Sequence, residues 1–204
     1  MKLYYLPGAC SLADHITLEW IGADYEAIEV PRDELKSSWY LAISPGGAVP
    51  ALVEDDGWAL TENAAILHYL AEKHPETQLA GSDARGRAEV NRWLGFLNSD
   101  VHQAFKPIFA PTAFLDDEAL HPALAEHARA KLGKLFARID KQLAEHEWVA
   151  GARRSIADPY LFVVLRWARG KKVPLDGLKA LDAYFGRMQK DAGVRKAMAA
   201  EGLG

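Results

Sequence analysis

One stretch constrains the fold of this chain more than any other: Gly46-Gly47-Ala48-Val49-Pro50-Ala51-Leu52-Val53-Glu54, then Asp55-Asp56-Gly57, then Trp58-Ala59-Leu60-Thr61-Glu62-Asn63. Two short apolar runs on either side of an Asp-Gly turn signal predict a β-hairpin, because Asp and Gly suit the positive φ angles that match the twist of paired strands. Pro50 stands at the entrance to the first of these strands. It has no N–H to give a ladder, which restricts it to a strand start, an edge or a bulge. A helix follows from Thr61 or Glu62, with Ile66, Leu67, Tyr69 and Leu70 as its apolar stripe. The pattern therefore sets a helix N-terminus one short strand away from Pro50.

Ahead of the hairpin, Lys2 to Leu6 reads as a strand that stops at Pro7-Gly8, and Ser11 to Ile21 carries Leu12, Ile16, Leu18 and Trp20 at helical spacing until Gly22. Tyr25 to Val30 alternates as a second strand, and Arg32 to Ser38 is a polar loop or short helix. The order βαβ, weak helix, ββα predicts a four-stranded mixed sheet with helices on both faces. Beyond His74-Pro75-Glu76 and Gly81-Ser82-Asp83 the strand signal ends, so the domain boundary is placed at residues 76–84, with an α/β unit over 1–80 and an all-helical unit over 85–204. Arg85 to Phe109 reads as one long helix disturbed near its end by Pro107. Leu124 to Leu143 predicts a helix of about five turns. Ser155-Ile156-Ala157-Asp158 has capping-box spacing, with Asp in place of Glu, and opens an apolar helix from Tyr160 to Ala168; Leu178 to Met188 and Val194 to Ala200 complete the set.

Half of the 204 residues are apolar, enough for substantial cores, and the formal net charge of −4 gives no electrostatic reason to expect nucleic acid or an anionic membrane as partner. No leader-like N-terminus and no apolar run of membrane-spanning length is seen, which makes the cytoplasm the expected location. The single cysteine, Cys10, excludes an internal disulfide and a Cys-x-x-Cys pair, so any thiol chemistry uses an external thiol. The histidines other than His102 show no metal-ligand spacing, and no metal is expected; His15, His68, His74, His121, His127 and His146 are assigned to solvated or capping roles.

Together, Gly8-Ala9-Cys10-Ser11-Leu12 at the first strand-to-helix turn, Val49-Pro50, Glu62-Asn63, His102 and the Ser-Ile-Ala-Asp box resemble the bacterial beta class of glutathione S-transferases over nearly the whole chain. The resemblance implies a thioredoxin-like N-terminal domain that binds glutathione, an all-α C-terminal domain that forms most of a cleft for a hydrophobic electrophile, a homodimer, and a cis peptide at Val49-Pro50. It departs from the family at Gly95, where an asparagine is common.

Cys10 precedes the first helical residue, where backbone N–H groups and the helix dipole favour a thiolate; the alternative is a small buried thiol of no chemical use. In the beta class this cysteine holds glutathione, including as a mixed disulfide. Tyr5 and Ser11 are rival activating hydroxyls, although Tyr5 fits a core aromatic better and Ser11 a helix cap equally well. The resemblance assigns the γ-glutamyl end of glutathione to Glu62, Asn63 and the helix N-terminus, and the cysteinyl unit to the backbone of Val49 beside Pro50. Ser99, Asp100 and His102 are carried over as site residues from their helix, Asp100 toward the second subunit, with an interhelical histidine as the plain alternative for His102. Phe105, Ile108, Phe109, Phe114 and Trp167 are the candidates for the electrophile cleft. Two other functions fit the same fold: a non-catalytic binder of hydrophobic compounds, and an interaction protein that has lost glutathione binding.

Overall fold

The computed structural model describes all residues from Met1 to Gly204. The first part contains β1 (Lys2–Tyr5), α1 (Ser11–Ile21), β2 (Glu26–Glu29), a one-turn α2 (Ser38–Leu41), β3 (Ala51–Val53), β4 (Ala59–Thr61) and α3 (Asn63–Lys73). The sheet order is β2-β1-β3-β4, with β1 parallel to β2 and the other neighbours antiparallel; Leu52 of β3 stands between Leu3 and Leu60. Strand residues alternate faces, so Leu3, Tyr5 and Leu52 pack with Leu18, Ile66 and Leu70 of α1 and α3, while Tyr4 and Ala51 meet Tyr40 of α2 on the other side. This is the predicted βαβ plus ββα arrangement. Tyr5 is thereby a core residue beside the His15 ring, 5.5 Å away, and not an activating hydroxyl.

The Val49-Pro50 peptide is cis, and Pro50 immediately precedes β3. Gly47 before it has φ +58°, and a Cβ there would fall 2.6 Å from the Leu35 carbonyl oxygen, so both the backbone angle and the space require glycine. Gly22 ends α1 in the left-handed conformation that the sequence places there.

The second part is all helical: α4 (Ala84–Phe96), α5 (Gln103–Phe109), α6 (His121–Glu145), α7 (Ala157–Gly170), α8 (Lys179–Lys190) and α9 (Ala192–Ala200). Two expectations need correction. The helical segment read from Arg85 to Phe109 is continuous, but it is not regular α-helix throughout: Leu97–His102 within it is π-helical, and the wider i→i+5 turn shifts the faces that follow. Pro107 lies inside α5, which nevertheless runs to Phe109. Secondly, α6 has 25 residues, about seven turns, because the polar start at His121-Pro122 lies ahead of the apolar stripe. The acid half of the capping box forms: Asp158 Oδ2 accepts from the Ser155 N–H at 2.7 Å and Oγ at 3.0 Å, and its Oδ1 accepts from the Val149 N–H at 3.0 Å, while Ile156 takes the N-cap position read for Ser155, whose Oγ accepts from the Ala157 N–H at 3.3 Å. Burial pushes the Asp158 carboxyl up to about 6.

The C-terminal segment packs back onto α1. Trp20 Nε1–H donates to Asp191 Oδ1 at 2.8 Å, and Glu201 accepts from His15 Nδ1 at 3.0 Å and from the Gly8 N–H at 2.8 Å. His15 is 1 % exposed, a buried partner of a carboxylate and not the solvated or capping histidine expected. No helix is long and apolar enough to cross a membrane, and no group of three or more His, Cys, Asp or Glu side chains is placed to hold a metal.

Candidate functional site

Four pieces of local structure converge: the β1–α1 turn with Cys10, the cis-proline entrance to β3, the start of α3 and the π-helical segment. They enclose a polar cavity of about 330 Å³. Glu62 is its one acid and Lys106 its one permanent cation. A second cavity of about 500 Å³, lined by Ile108, Phe109 and Trp167, adjoins the first, and both include Cys10 and His102.

Cys10 is part-buried, and its thiol donates to the Val49 carbonyl at 3.4 Å. Burial is the dominant influence and pushes the thiol up to about 12, with Asp14 acting in the same direction. The backbone N–H groups of Cys10 and Ser11 do lower it, as the helix-start position predicts, but this is the smaller effect. The expected thiolate is therefore corrected to a neutral thiol, which can donate one hydrogen bond. Ser11 Oγ is fully buried and bonds back to Leu6, to its N–H at 3.3 Å and its carbonyl at 3.4 Å; it fixes the turn and does not enter the cavity. It is not the helix cap read from sequence either, because its hydroxyl bonds to Leu6 ahead of the helix and to no N–H of α1.

On the facing wall, the Ala48 carbonyl accepts from Tyr40 Oη at 2.8 Å and Ser44 Oγ at 2.9 Å, while the N–H of Val49 has no partner within the chain. Glu62 is exposed at the cavity edge with φ +71°, a left-handed conformation rarely taken by a non-glycine residue. Asn63 is buried, and its amide nitrogen faces Asp14, donating to Oδ2 at 2.8 Å and Oδ1 at 3.2 Å. That changes the role read for Asn63. Its side chain secures α3 against α1, leaving the backbone N–H groups at the start of α3 for an anion.

His102 Nδ1 lies 2.5 Å from Tyr160 Oη, and Tyr160 in turn donates to Asn98 Oδ1 at 3.1 Å. With the one hydroxyl proton given to Asn98, His102 donates from Nδ1 and keeps a lone pair on Nε2. Burial, with a lesser contribution from Lys106, holds the imidazole down at about 4, so the imidazolium considered from sequence is replaced by a neutral ring. Ser99 and Asp100 lie outside the cavity, exposed and bonded to one another at 2.7 Å. Phe105 is fully buried, stacked under Phe109 at 5.5 Å, and supports the cleft from behind; Phe114 is half exposed and does not line it. Ile108, Phe109 and Trp167 line the apolar cavity, with Trp167 Nε1–H bonded to the Gly8 carbonyl at 2.8 Å.

Sequence reading missed Asn98, Tyr160, Gln103 and Lys106, all of which line the polar cavity. Tyr160 read as an apolar helix residue, and the others lie in or after the π segment, where regular α-helical spacing misassigns the inward face.

A thioredoxin-like α/β unit with its cysteine at a helix start, a cis-proline opposite and an all-helical second half is the glutathione S-transferase fold. Comparison with known proteins agrees. Residues 14–78 match the glutathione S-transferase N-terminal domain and residues 100–191 the glutathione S-transferase C-terminal domain. Glutathione S-transferase GST-4.5 of Xanthomonas campestris pv. campestris is 52% identical over 204 residues, 100% of both chains. Among solved structures, a glutathione S-transferase from Xylella fastidiosa superposes with a TM-score of 0.94 at 47% identity, covering 99% of this chain and 98% of that one. The beta-class glutathione S-transferase of Sphingomonas chungbukensis and a sphingomonad glutathione S-transferase complexed with glutathione each give 0.89 at 38% identity, covering 100% of both chains. The chain belongs to the glutathione S-transferase family.

Proposed function

We propose that this protein is a cytoplasmic, homodimeric glutathione transferase of the beta type, in which residues 1–80 bind glutathione and residues 85–204 provide most of the cleft for a hydrophobic electrophile. The observation that carries the reading is the meeting of a polar and an apolar cavity at Cys10 and His102. A ligand sulfur held at that junction faces the place where an apolar electrophile would lie.

Each end of glutathione has a chemical counterpart. Glu62 suits the ammonium, the N–H groups at the start of α3 suit the γ-glutamyl carboxylate, and Lys106 suits the glycyl carboxylate. The free N–H of Val49 suits the cysteinyl unit, which then pairs with the chain like an added strand. At the sulfur, the Cys10 and Ser11 N–H groups and the Cys10 S–H, turned from Val49, donate to the glutathione thiolate. A neutral Cys10 serves this purpose better than an anion, which would repel the ligand sulfur. The thiolate attacks the electrophile, the C–S bond forms as the leaving group departs with its electron pair, and the thiol proton goes to solvent. His102, neutral, offers an acceptor without adding charge. The neighbour solved with glutathione supports the ligand.

Thiol–disulfide exchange is the second reaction of the same site. The small thiolate fraction of Cys10 attacks oxidised glutathione, the ligand S–S bond breaks, a Cys10-glutathione mixed disulfide forms, and reduced glutathione leaves with the proton that Cys10 lost. Calorimetry with glutathione and a conjugation assay with an activated aryl halide test the whole reading. Binding without conjugation of any electrophile selects a storage role, and no binding selects an interaction protein.

A further inference from the structure

Apart from the neutral His102, each titratable nitrogen side chain on the apolar cavity beside Cys10 belongs to a cation, Arg32 or Lys171, and no carboxylate lines it, although the protein's formal net charge is −4. Lys171, just past the end of α7, holds its Nζ 5.6 Å from the centroid of the Phe109 ring. A further cavity of about 420 Å³ shares Gly8, Phe109, Trp167 and Lys171 with this apolar cavity and adds Arg166. Arg166 is half-buried, and its Nη1 lies 3.8 Å from where a side chain on Gly8 would begin. None of Arg32, Arg166 and Lys171 is in an ion pair. Glu201, whose field reaches Arg166, accepts from His15 and the Gly8 N–H with its two oxygens. Arg169 borders the same cavity but is matched by Asp182 at 2.5 Å.

An unpaired, half-buried guanidinium bears a desolvation cost that an anion of the right shape offsets. Unmatched cations around a cleft also raise the local concentration of anionic molecules. Resting on the transferase reading of this site, we propose that the cleft selects electrophiles bearing an anionic group, an aromatic ring with a carboxylate, with the ring against Phe109 and Trp167 and the carboxylate on Lys171 and Arg166. Conjugation of a chloroarene carboxylate then forms the C–S bond, expels chloride with the bonding pair and releases the thiol proton to solvent, while the carboxylate remains unchanged and anchors the ring.

The test uses two synthetic conjugates, glutathione joined through sulfur to 4-chloro-3,5-dinitrobenzoate at the chlorine position, as the acid and as its methyl ester. They differ in one charge at the far end of the ring. Calorimetry at neutral pH and low salt is expected to show the acid binding about three- to tenfold more tightly than the ester. Lys171→Gln, an exposed change, and Arg166→Gln are each expected to narrow that ratio, as is added salt. Equal affinities in the wild type, or a ratio that survives both substitutions, overturns the proposal. Glutathione alone, titrated alongside, separates the two levels: if it binds while acid and ester are equal, only the anion preference falls. If neither glutathione nor either conjugate binds, the transferase reading falls and takes the proposal with it.

Discussion

Cys10 gives the most direct test of the site's electrostatics, because it is the sole cysteine and any thiol modification of the protein reports on it alone. The perturbation is alkylation with iodoacetamide at pH 7.4. A free thiol with a pKa of ~8.5 is about 7% thiolate at that pH. Cys10, pushed up to about 12, is thiolate in roughly three molecules per hundred thousand, a fraction ~3,000-fold smaller. The more basic thiolate is the better nucleophile, and a Brønsted slope of ~0.4–0.5 over ~3.5 units returns a factor of about 25–60. The second-order rate constant should thus be roughly 50- to 120-fold below that of free glutathione. Intact-protein mass spectrometry under pseudo-first-order conditions measures it, with the guanidinium-unfolded chain as the reference for an exposed Cys10. The rate should also rise log-linearly with pH through pH 9, with no plateau. A rate equal to that of glutathione, or an inflection between pH 6 and 7, would show that helix-start N–H groups outweigh burial and would refute the argument.

Other consequences are equally specific. The His102 ring should stay neutral from pH 8 to about 5, with NMR ring shifts flat over that range and a midpoint at 6–7 contradicting the burial argument; its lowered pKa favours the folded state fully above ~6.5, and that contribution is lost as pH falls toward 4. Glu62→Ala should weaken glutathione binding by more than ~1 kcal/mol in calorimetry, because the ligand ammonium loses its charged acceptor; an unchanged Kd would remove Glu62 from the site. Gly193→Ala should lower stability by about 1–3 kcal/mol in urea unfolding, since the added Cβ would stand 2.6 Å from Trp20 Cδ1 at the α1–α9 contact; a neutral result would mean that Trp20 can move aside. Sedimentation should show a homodimer in which exposed Asp100 serves the partner's glutathione site, so that Asp100→Asn raises the Kd without unfolding; a monomer with full affinity would end that idea.

Much of this protein is determined by local sequence. Alternating apolar residues in Leu3 to Tyr5 and Ala51 to Val53, the Asp-Gly turn, Gly22 as a helix stop and the Ser155–Asp158 box each act within a few residues. Their physics is complete before the chain folds, and each shows in the structure, although of the Asp-Gly pair only Gly57 takes a positive φ and the helix after the Ser155–Asp158 box has Ile156 at its N-cap. Cys10, Val49-Pro50 and Glu62 were singled out by the family resemblance, which their local patterns carry, and all three line the polar cavity.

What the sequence left open depends on distance in space. The charge state of Cys10 is a balance between local N–H groups, visible in sequence, and desolvation by segments 39 residues away and more, which only packing supplies; desolvation wins. His102 is held neutral by burial, with Tyr160, 58 residues on, bonded to its Nδ1, and the buried His15 is met by Glu201 from the far end of the chain. The π segment changed which side chains face inward, bringing in Asn98 and leaving Ser99 and Asp100 outside. Backbone patterns are set by neighbours in sequence, whereas dielectric environment and hydrogen-bond partners are set by neighbours in space. The tertiary structure therefore decided the chemistry of residues whose positions the sequence had already determined.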